Sequence, residues 1–221
     1  MPCANLHPLA VTQPKTSERA IVLATPVAVL DACVLIPAGL RDVLLSVADV
    51  GCFRPIWQEQ IEDEIRRNTI RLRAKVGALA SDAAAQVEIV LATMNRAFPD
   101  GRLSRSLWKE LVDECTNDPK DRHVLAAAVG AEATHLVTSN LRDFPQSSRP
   151  STLNVLEPDE FLLDCLANDP DRTVQAVRNM AARHRRPPHT PLEVAVLMRG
   201  GTLIPRFGAA IEDRLATDGS A

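Results

Sequence analysis

The stretch Asn117-Asp118-Pro119-Lys120-Asp121-Arg122-His123-Val124-Leu125-Ala126-Ala127-Ala128 constrains the fold more than any other. It has the marks of a helix start. Asp118 suits the N-cap, Pro119 the first helical position, and Asp121 the acceptor position of a capping box. At about 100° per residue, Val124, Leu125 and Ala128 fall within roughly 60° of Asp121. The helix, expected to run to about residue 131, therefore carries a carboxylate at the end of its core-facing stripe. Such a carboxylate is costly unless a backbone amide, a cation or a metal compensates it. A capping box is the plain reading of this motif alone. Three further acids in comparable positions argue for the other.

Two short apolar runs lead into acids. Val27-Ala28-Val29-Leu30 ends in Asp31, and His135-Leu136-Val137-Thr138 leads through Ser139-Asn140-Leu141-Arg142 to Asp143. Residues 152–156 form a third such run. Nearly unbroken apolar character fits strands covered on both faces of a parallel sheet. Helical spacing follows Pro37 (Leu40, Val43, Leu44, Val47), with Gly51 at its end and Phe53-Arg54-Pro55 as a connection. A second helix is expected over residues 57–68 and a long one over 70–97, then a turn at 98–101. Residues 102–116 show no clear period beyond a helical turn near Trp108 and Leu111. Another helix starts at Glu157-Pro158-Asp159, and Asp169-Pro170, Thr190-Pro191 and Gly200-Gly201 punctuate three more. Strands alternating with helices predict an α/β domain over residues 25–156. A flexible tail, residues 1–24, precedes it, and a helical region, residues 157–221, follows.

The helix over 57–68 has an apolar stripe of Trp57, Ile61 and Ile65 and four acids. Glu64, three residues after Ile61 and seven after Trp57, lies beside that stripe; Glu59, Glu62 and Asp63 are expected to face solvent. Ligands of open α/β sheets bind at the carboxyl ends of the strands. Asp31, Glu64, Asp121 (with Asp118) and Asp143 are thus candidates to converge there. Converging carboxylates repel unless a divalent cation neutralises them, and oxygen ligands select Mg²⁺ or Mn²⁺. Such an ion activates water for phosphodiester cleavage, with no side-chain nucleophile. His123, about 160° round the helix from Asp121, is expected to point away from the acids.

Composition removes other classes. A net charge of −3 gives no global basic signal for nucleic acid, and five Phe, two Trp and no Tyr make no base-stacking platform. Five cysteines without a CxxC read as reduced thiols, which points to the cytoplasm. No 18-residue apolar run is present, so no membrane association is expected. The absence of a P-loop or GxGxxG removes the common nucleotide-binding folds.

Val29-Leu30-Asp31-Ala32, the Glu64 helix, the 118–128 stretch and Thr138-Ser139-Asn140-Leu141-Arg142-Asp143-Phe144 together resemble the PIN domain. More narrowly, they resemble the VapC-type toxins of bacterial type II toxin–antitoxin pairs. The resemblance spans roughly residues 26–156. It implies a PIN-like three-layer sandwich with a mainly parallel central sheet, to which the C-terminal helices are an appendage. It further implies a Mg²⁺- or Mn²⁺-dependent endoribonuclease whose acids correspond to Asp31, Glu64, Asp121 and Asp143, inhibition by a cognate antitoxin, and frequent homodimerisation. Two positions depart from the family pattern: Cys33 stands where many members have Asn or Ser, and Asn140 where many have Asp. The fourth metal ligand is then Asp143, Asn140 or both, and Asp118 replaces or assists Asp121. Phosphate contacts would come from Arg66, Arg67, Arg71 and Arg73 with Lys75. Arg183, Arg185 and Arg186, from a segment with seven arginines and one acid between residues 172 and 206, would grip RNA or an acidic antitoxin segment. The alternative is a catalytically weak PIN-fold binding module acting through RNA or protein contacts.

Overall fold

The computed structural model describes residues 25–183 and 188–218; the expected tail over residues 1–24, and Arg185 and Arg186, lie outside the described residues. Four short strands, β1 (Val27–Leu30), β2 (Arg54–Ile56), β3 (His135–Val137) and β4 (Asn154–Leu156), form one parallel sheet in the order β2-β1-β3-β4. The chain leaves β1 toward β2 on one side and returns to β3 on the other. That reversal opens a crevice between the carboxyl ends of β1 and β3, where α/β folds bind ligands. β1 is paired on both edges, and its Ala28, Val29 and Leu30 are fully buried, as its unbroken apolar run requires.

Helices fill the connections: α1 (Ala32–Leu35), α2 (Ala38–Asp49), α3 (Glu59–Lys75), α4 (Ala80–Ala97) and α5 (Arg122–Gly130), then α6 (Pro158–Asn168), α7 (Pro170–Arg183), α8 (Pro191–Gly200) and α9 (Pro205–Asp218). Three expectations are corrected here. Arg54 and Pro55, read as connection, belong to strand β2, paired with β1 as Val27↔Arg54 and Ala28↔Pro55. β2 is an edge strand, where the missing proline N–H costs least. The long pattern over residues 70–97 is two helices: α3 continues to Lys75, Gly77 turns the chain at φ 82°, and α4 starts at Ala80. Asp118 does not begin the helix. Its Oδ1 accepts from the Lys120 amide (3.0 Å) and its carbonyl from the Asp121 amide (2.9 Å), closing a turn, so α5 starts at Arg122. Residues 102–116 hold two 3₁₀ turns, Arg105–Leu107 and Glu110–Glu114. α5 packs so closely on the first that a side chain at Gly130 would collide with the Leu107 carbonyl.

The C-terminal helices share the core of the sheet domain. Phe161 of α6 meets Phe53 edge-on at 4.8 Å between ring centroids. Val174, Val177, Met180 and Val194 are buried, whereas Val196 and Leu197 are exposed. α8 opens with a capping box in which Thr190 and Glu193 satisfy each other's amides, with Pro191 at the first turn. α9 lies against α8 at Gly208, where a Cβ would strike the backbone at Met198 and Arg199. Its start is held from α6: the buried Asp159 carboxylate accepts from the amides of Phe207 (2.8 Å) and Arg206 (3.1 Å). That anion at a helix N-terminus satisfies two donors without an intrahelical partner. Asp159→Ala is expected to cost about 2 kcal/mol and to lower the melting temperature by roughly 4–8 °C in differential scanning calorimetry. An unchanged melting temperature would show that α9 docks without this cap.

Candidate active site

The crevice is lined from both strands. Asp31 follows β1 and Thr138 follows β3, and the two chains are tied there by the Asp31 amide donating to the Val137 carbonyl (3.1 Å). The Thr138 hydroxyl donates to Asp31 Oδ2 at 2.7 Å, and the Cys33 thiol donates to the same oxygen at 3.0 Å. The Asn140 amide in turn donates to Thr138 Oγ1 (3.0 Å), and the Ser139 amide to Cys33 Sγ (3.2 Å). Burial and the charge of Asp31 push the Cys33 thiol up to about 12, so it stays protonated at neutral pH and acts as a donor. Cys33 therefore orients Asp31, a part that a hydroxyl or amide could equally play. Asp31 is 4% exposed, and both bonds fall on one of its oxygens.

Asp121 sits at the N-cap of α5 but makes no capping bond with its side chain. The capping-box reading is not realised. Burial pushes its carboxyl up to about 7, helped by the charges of Asp31 and Asp143, a side-chain hydrogen bond with Asp143, and the charge of Glu64. Glu64 is raised as well, first by burial and then by Asp31, with Arg67 opposing. Asp31, Glu64, Asp121 and Asp143 thus come from four separate elements into one repulsive field. Asp143 closes a short 3₁₀ turn, Leu141–Asp143, whose N-cap is the exposed Asn140. Asp118 is joined to it by its amide, which donates to the Asp143 carbonyl (3.4 Å).

Two expectations fail on α3 and α5. Glu62 does not face solvent: it is 2% exposed, accepting from Asn95 Nδ2 (2.9 Å) and Arg102 Nε (3.2 Å). α4 packs on a second flank of α3, beside the stripe that the spacing marked, and buries this acid in an ion pair rather than in the crevice. His123 does not point away from the acids; its Nε2 lies 3.4 Å from Glu64 Oε1. Asp121 has φ −109° and ψ 6°, outside the helix, so the angular count from it does not hold, and the acid that His123 meets comes from α3. The basic residues divide. Arg66 is clamped by Asp63 (2.8 Å) and Glu88 (2.7 Å), and Arg183 pairs with Asp42 (3.4 Å) and Ser46. Arg67 reaches within 4.0 Å of Glu64, while Arg71 and Arg73 are exposed.

The donor set is made of carboxylate oxygens that repel one another, which suits a small hard cation. Among the described residues, no group of three or more His, Cys, Asp and Glu already stands as a coordination cage. What fits such an ion is the charge and oxygen chemistry of the four acids. A cavity of about 1040 Å³ beside α2, α4 and α8 is lined mainly by apolar side chains such as Met94, Met180 and Leu197, and none of the four acids reaches it. No helix among the described residues is long and apolar enough to cross a membrane.

Comparison with known proteins agrees with this geometry. No solved structure matches the chain. "Putative ribonuclease VapC50" of Mycobacterium tuberculosis is 37% identical over 114 residues, which is 51% of this chain and 66% of that protein, just under two thirds of its length. Residues 158–213, covering most of α6 to α9, match the VapC50 C-terminal domain. Residues 27–142, which carry β1, α3, α5 and β3 with Asp31, Glu64 and Asp121, match the PIN domain; Asp143 follows the last matched residue. A parallel sheet whose reversal gathers acids from those elements, and a family match over the same half of the chain, lead to one conclusion: the chain belongs to the PIN domain family.

Proposed function

We propose that the chain is a metal-dependent endoribonuclease acting in the cytoplasm as the toxin of a toxin–antitoxin pair. The observation that carries this reading is Asp121, pushed up to about 7 in the midst of Asp31, Asp143 and Glu64. A fold gains nothing in stability by gathering four acids, so the arrangement speaks for a cation. Asp31, Glu64, Asp121 and Asp143 would hold Mg²⁺ or Mn²⁺, with Asn140 and Asp118 at the rim. When bound, such an ion lowers the pKa of water and offsets charge on the scissile phosphate.

The chain's own residues do the rest. Thr138 and Cys33 fix one oxygen of Asp31 and leave the other for the crevice. Asp121 carries a proton at pH values below about 7, which loading of the site displaces. Arg67, Arg71 and Arg73, exposed on the turns of α3 that follow Glu64, would receive RNA phosphates. Arg66 and Arg183 are held by acids and contribute less. The name of the mycobacterial relative supports ribonuclease activity, and the antitoxin partner rests on the resemblance to VapC-type toxins.

The test is incubation of the purified full chain, free of antitoxin, with total cellular RNA in Mg²⁺, in Mn²⁺ and in EDTA. Cleavage in either metal that stops in EDTA is the expected result. RNA left intact under every metal would replace this reading with that of a binding module.

A further inference from the structure

Lys120 and Arg142 have no part in the scheme above, yet each stands next to an acid of the crevice. Lys120 precedes Asp121, and Arg142 precedes Asp143. Both are exposed. Among the described residues neither has an ion-pair partner, whereas Arg66, Arg102 and Arg105, on or beside α3, are held by Glu88, Glu62 and Glu59.

The backbone under both cations is ordered. Lys120 lies in the turn that the Asp121 amide closes on the Asp118 carbonyl (2.9 Å), and its own amide donates to Asp118 Oδ1 (3.0 Å). Arg142 is the middle residue of the 3₁₀ turn Leu141–Asp143, which the Asp143 amide closes on the Asn140 carbonyl (3.1 Å) and the buried Phe144 anchors. The two turns are joined. The Asp118 amide donates to the Asp143 carbonyl (3.4 Å), and the side chains of Asp121 and Asp143 share a hydrogen bond. Two cations thus ride on one braced edge, where gripping a ligand costs little further backbone order.

That edge is on the side of the crevice away from α3. Glu64 feels Asp31 and Arg67, while Asp121 feels Asp31 and Asp143 ahead of Glu64. Asp31 and Asp121 therefore stand between Glu64 on one side and Asp143 on the other. Easing the repulsion of the acids would be a plainer task for the two cations. Arg67 does this for Glu64, but the main charges felt by Asp121 are all acids, and neither Lys120 nor Arg142 is among them. Their charge is presented to solvent instead. A chain of net charge −3 with an acidic crevice needs local cations to draw in a polyanion.

We infer that Lys120 and Arg142 bind phosphates of the RNA strand on the Asp143 side of the crevice, across from the arginines of α3. The strand then passes over the acids, held on both sides of the phosphate that is cut. This rests on the ribonuclease reading and adds to it the second half of the substrate's path. Contacts of this kind fix the register of the strand and carry no base specificity.

The experiment is anisotropy of a short fluorescein-labelled single-stranded RNA on the full chain in EDTA, over a series of KCl concentrations. Each phosphate contact on a single strand adds about 0.7 to the slope of log affinity against log salt. The Lys120→Ala/Arg142→Ala variant is expected to lower that slope by about 1.4 and to bind roughly 10–30-fold more weakly at about 0.1 M KCl. Lys120→Arg/Arg142→Lys, which keeps both charges, is expected to keep the parent's slope. Arg54→Ala removes an exposed cation at the start of β2, the opposite end of the sheet, and is expected to leave affinity and slope unchanged. An unchanged slope in the alanine pair, an equal loss in Arg54→Ala, or an equal loss in the charge-conserving pair would each overturn the inference. A parent chain that binds the RNA with the expected slopes but leaves it uncut in every metal would sink the ribonuclease reading instead, which is a different outcome.

Discussion

Asp31→Ala is expected to reduce metal-dependent RNA cleavage by ~10³-fold or more, on the order of 4 kcal/mol of transition-state stabilisation. Asp31 is the most buried of the four acids, and the charges of Glu64 and Asp121 are both felt against it. Alanine also leaves the Thr138 hydroxyl and the Cys33 thiol without their acceptor. Stability should therefore fall too, by roughly 1–3 kcal/mol for donors stranded in a buried site. Asp31→Asn separates the two effects, because its amide oxygen still accepts from both donors while its charge is gone. The asparagine variant, which keeps both hydrogen bonds and relieves the repulsion on Asp121 and Glu64, is expected to melt no lower than the parent and to be as inactive as the alanine variant. Initial rates of RNA cleavage and calorimetric melting temperatures read the two quantities; an active Asp31→Asn protein would remove Asp31 from the reaction.

Asp121→Asn is expected to do two opposite things: abolish cleavage to a similar degree and stabilise the metal-free protein. The Asp121 carboxyl, ordinarily near 3.8, is held at about 7 by burial and by Asp31, Asp143 and Glu64. Between about pH 4 and pH 7 the folded chain therefore binds a proton that the unfolded chain has released. The stability this gives is fully present below the lower value and is lost as pH rises through the upper one. Asp121 is only half-buried, so solvent screening cuts the effect to about 1 kcal/mol. Asparagine removes the repulsion. At pH 8 in EDTA it should melt roughly 2–4 °C above the parent, with the advantage gone near pH 4. Saturating Mn²⁺ should raise the parent's melting temperature more than the variant's, since ligand that binds only the folded state stabilises by mass action. A variant that melts below the parent at pH 8 would mean that Asp121 is not under strain from its neighbours.

Much of this was legible in the residues because the informative signals are local. β1 and β3 are short apolar runs that meet acids, and a strand buried on both faces can scarcely look otherwise. Asp31 and Asp143 follow from those strands, and Glu64 from its place beside Trp57, Ile61 and Ile65. What stayed hidden depends on partners distant in the chain. Glu62 and Glu64 both flank the apolar stripe of α3, and only the arrival of Asn95 and Arg102, more than thirty residues on, decides that Glu62 is the structural one. His123 was misjudged because the angular count began at a residue outside the helix. The join between α3 and α4 was masked by Leu72, Val76 and Leu79, which keep helical spacing across the break yet are exposed; Gly77 was its one local sign. Cys33 stood out in the sequence as a departure from the family pattern, and only its contact with Asp31 shows it to be a donor.

The most direct measurement is anomalous diffraction from crystals of the full chain soaked in Mn²⁺ above pH 7, where Asp121 has lost its proton. An anomalous peak between the ends of β1 and β3, with carboxylate oxygens of Asp31 and Asp121 at about 2.1 Å and Glu64 or Asp143 completing the set, is the expected result. A crevice without a peak, or manganese bound only elsewhere on the surface, would contradict the claim that these four acids are gathered to hold a metal ion.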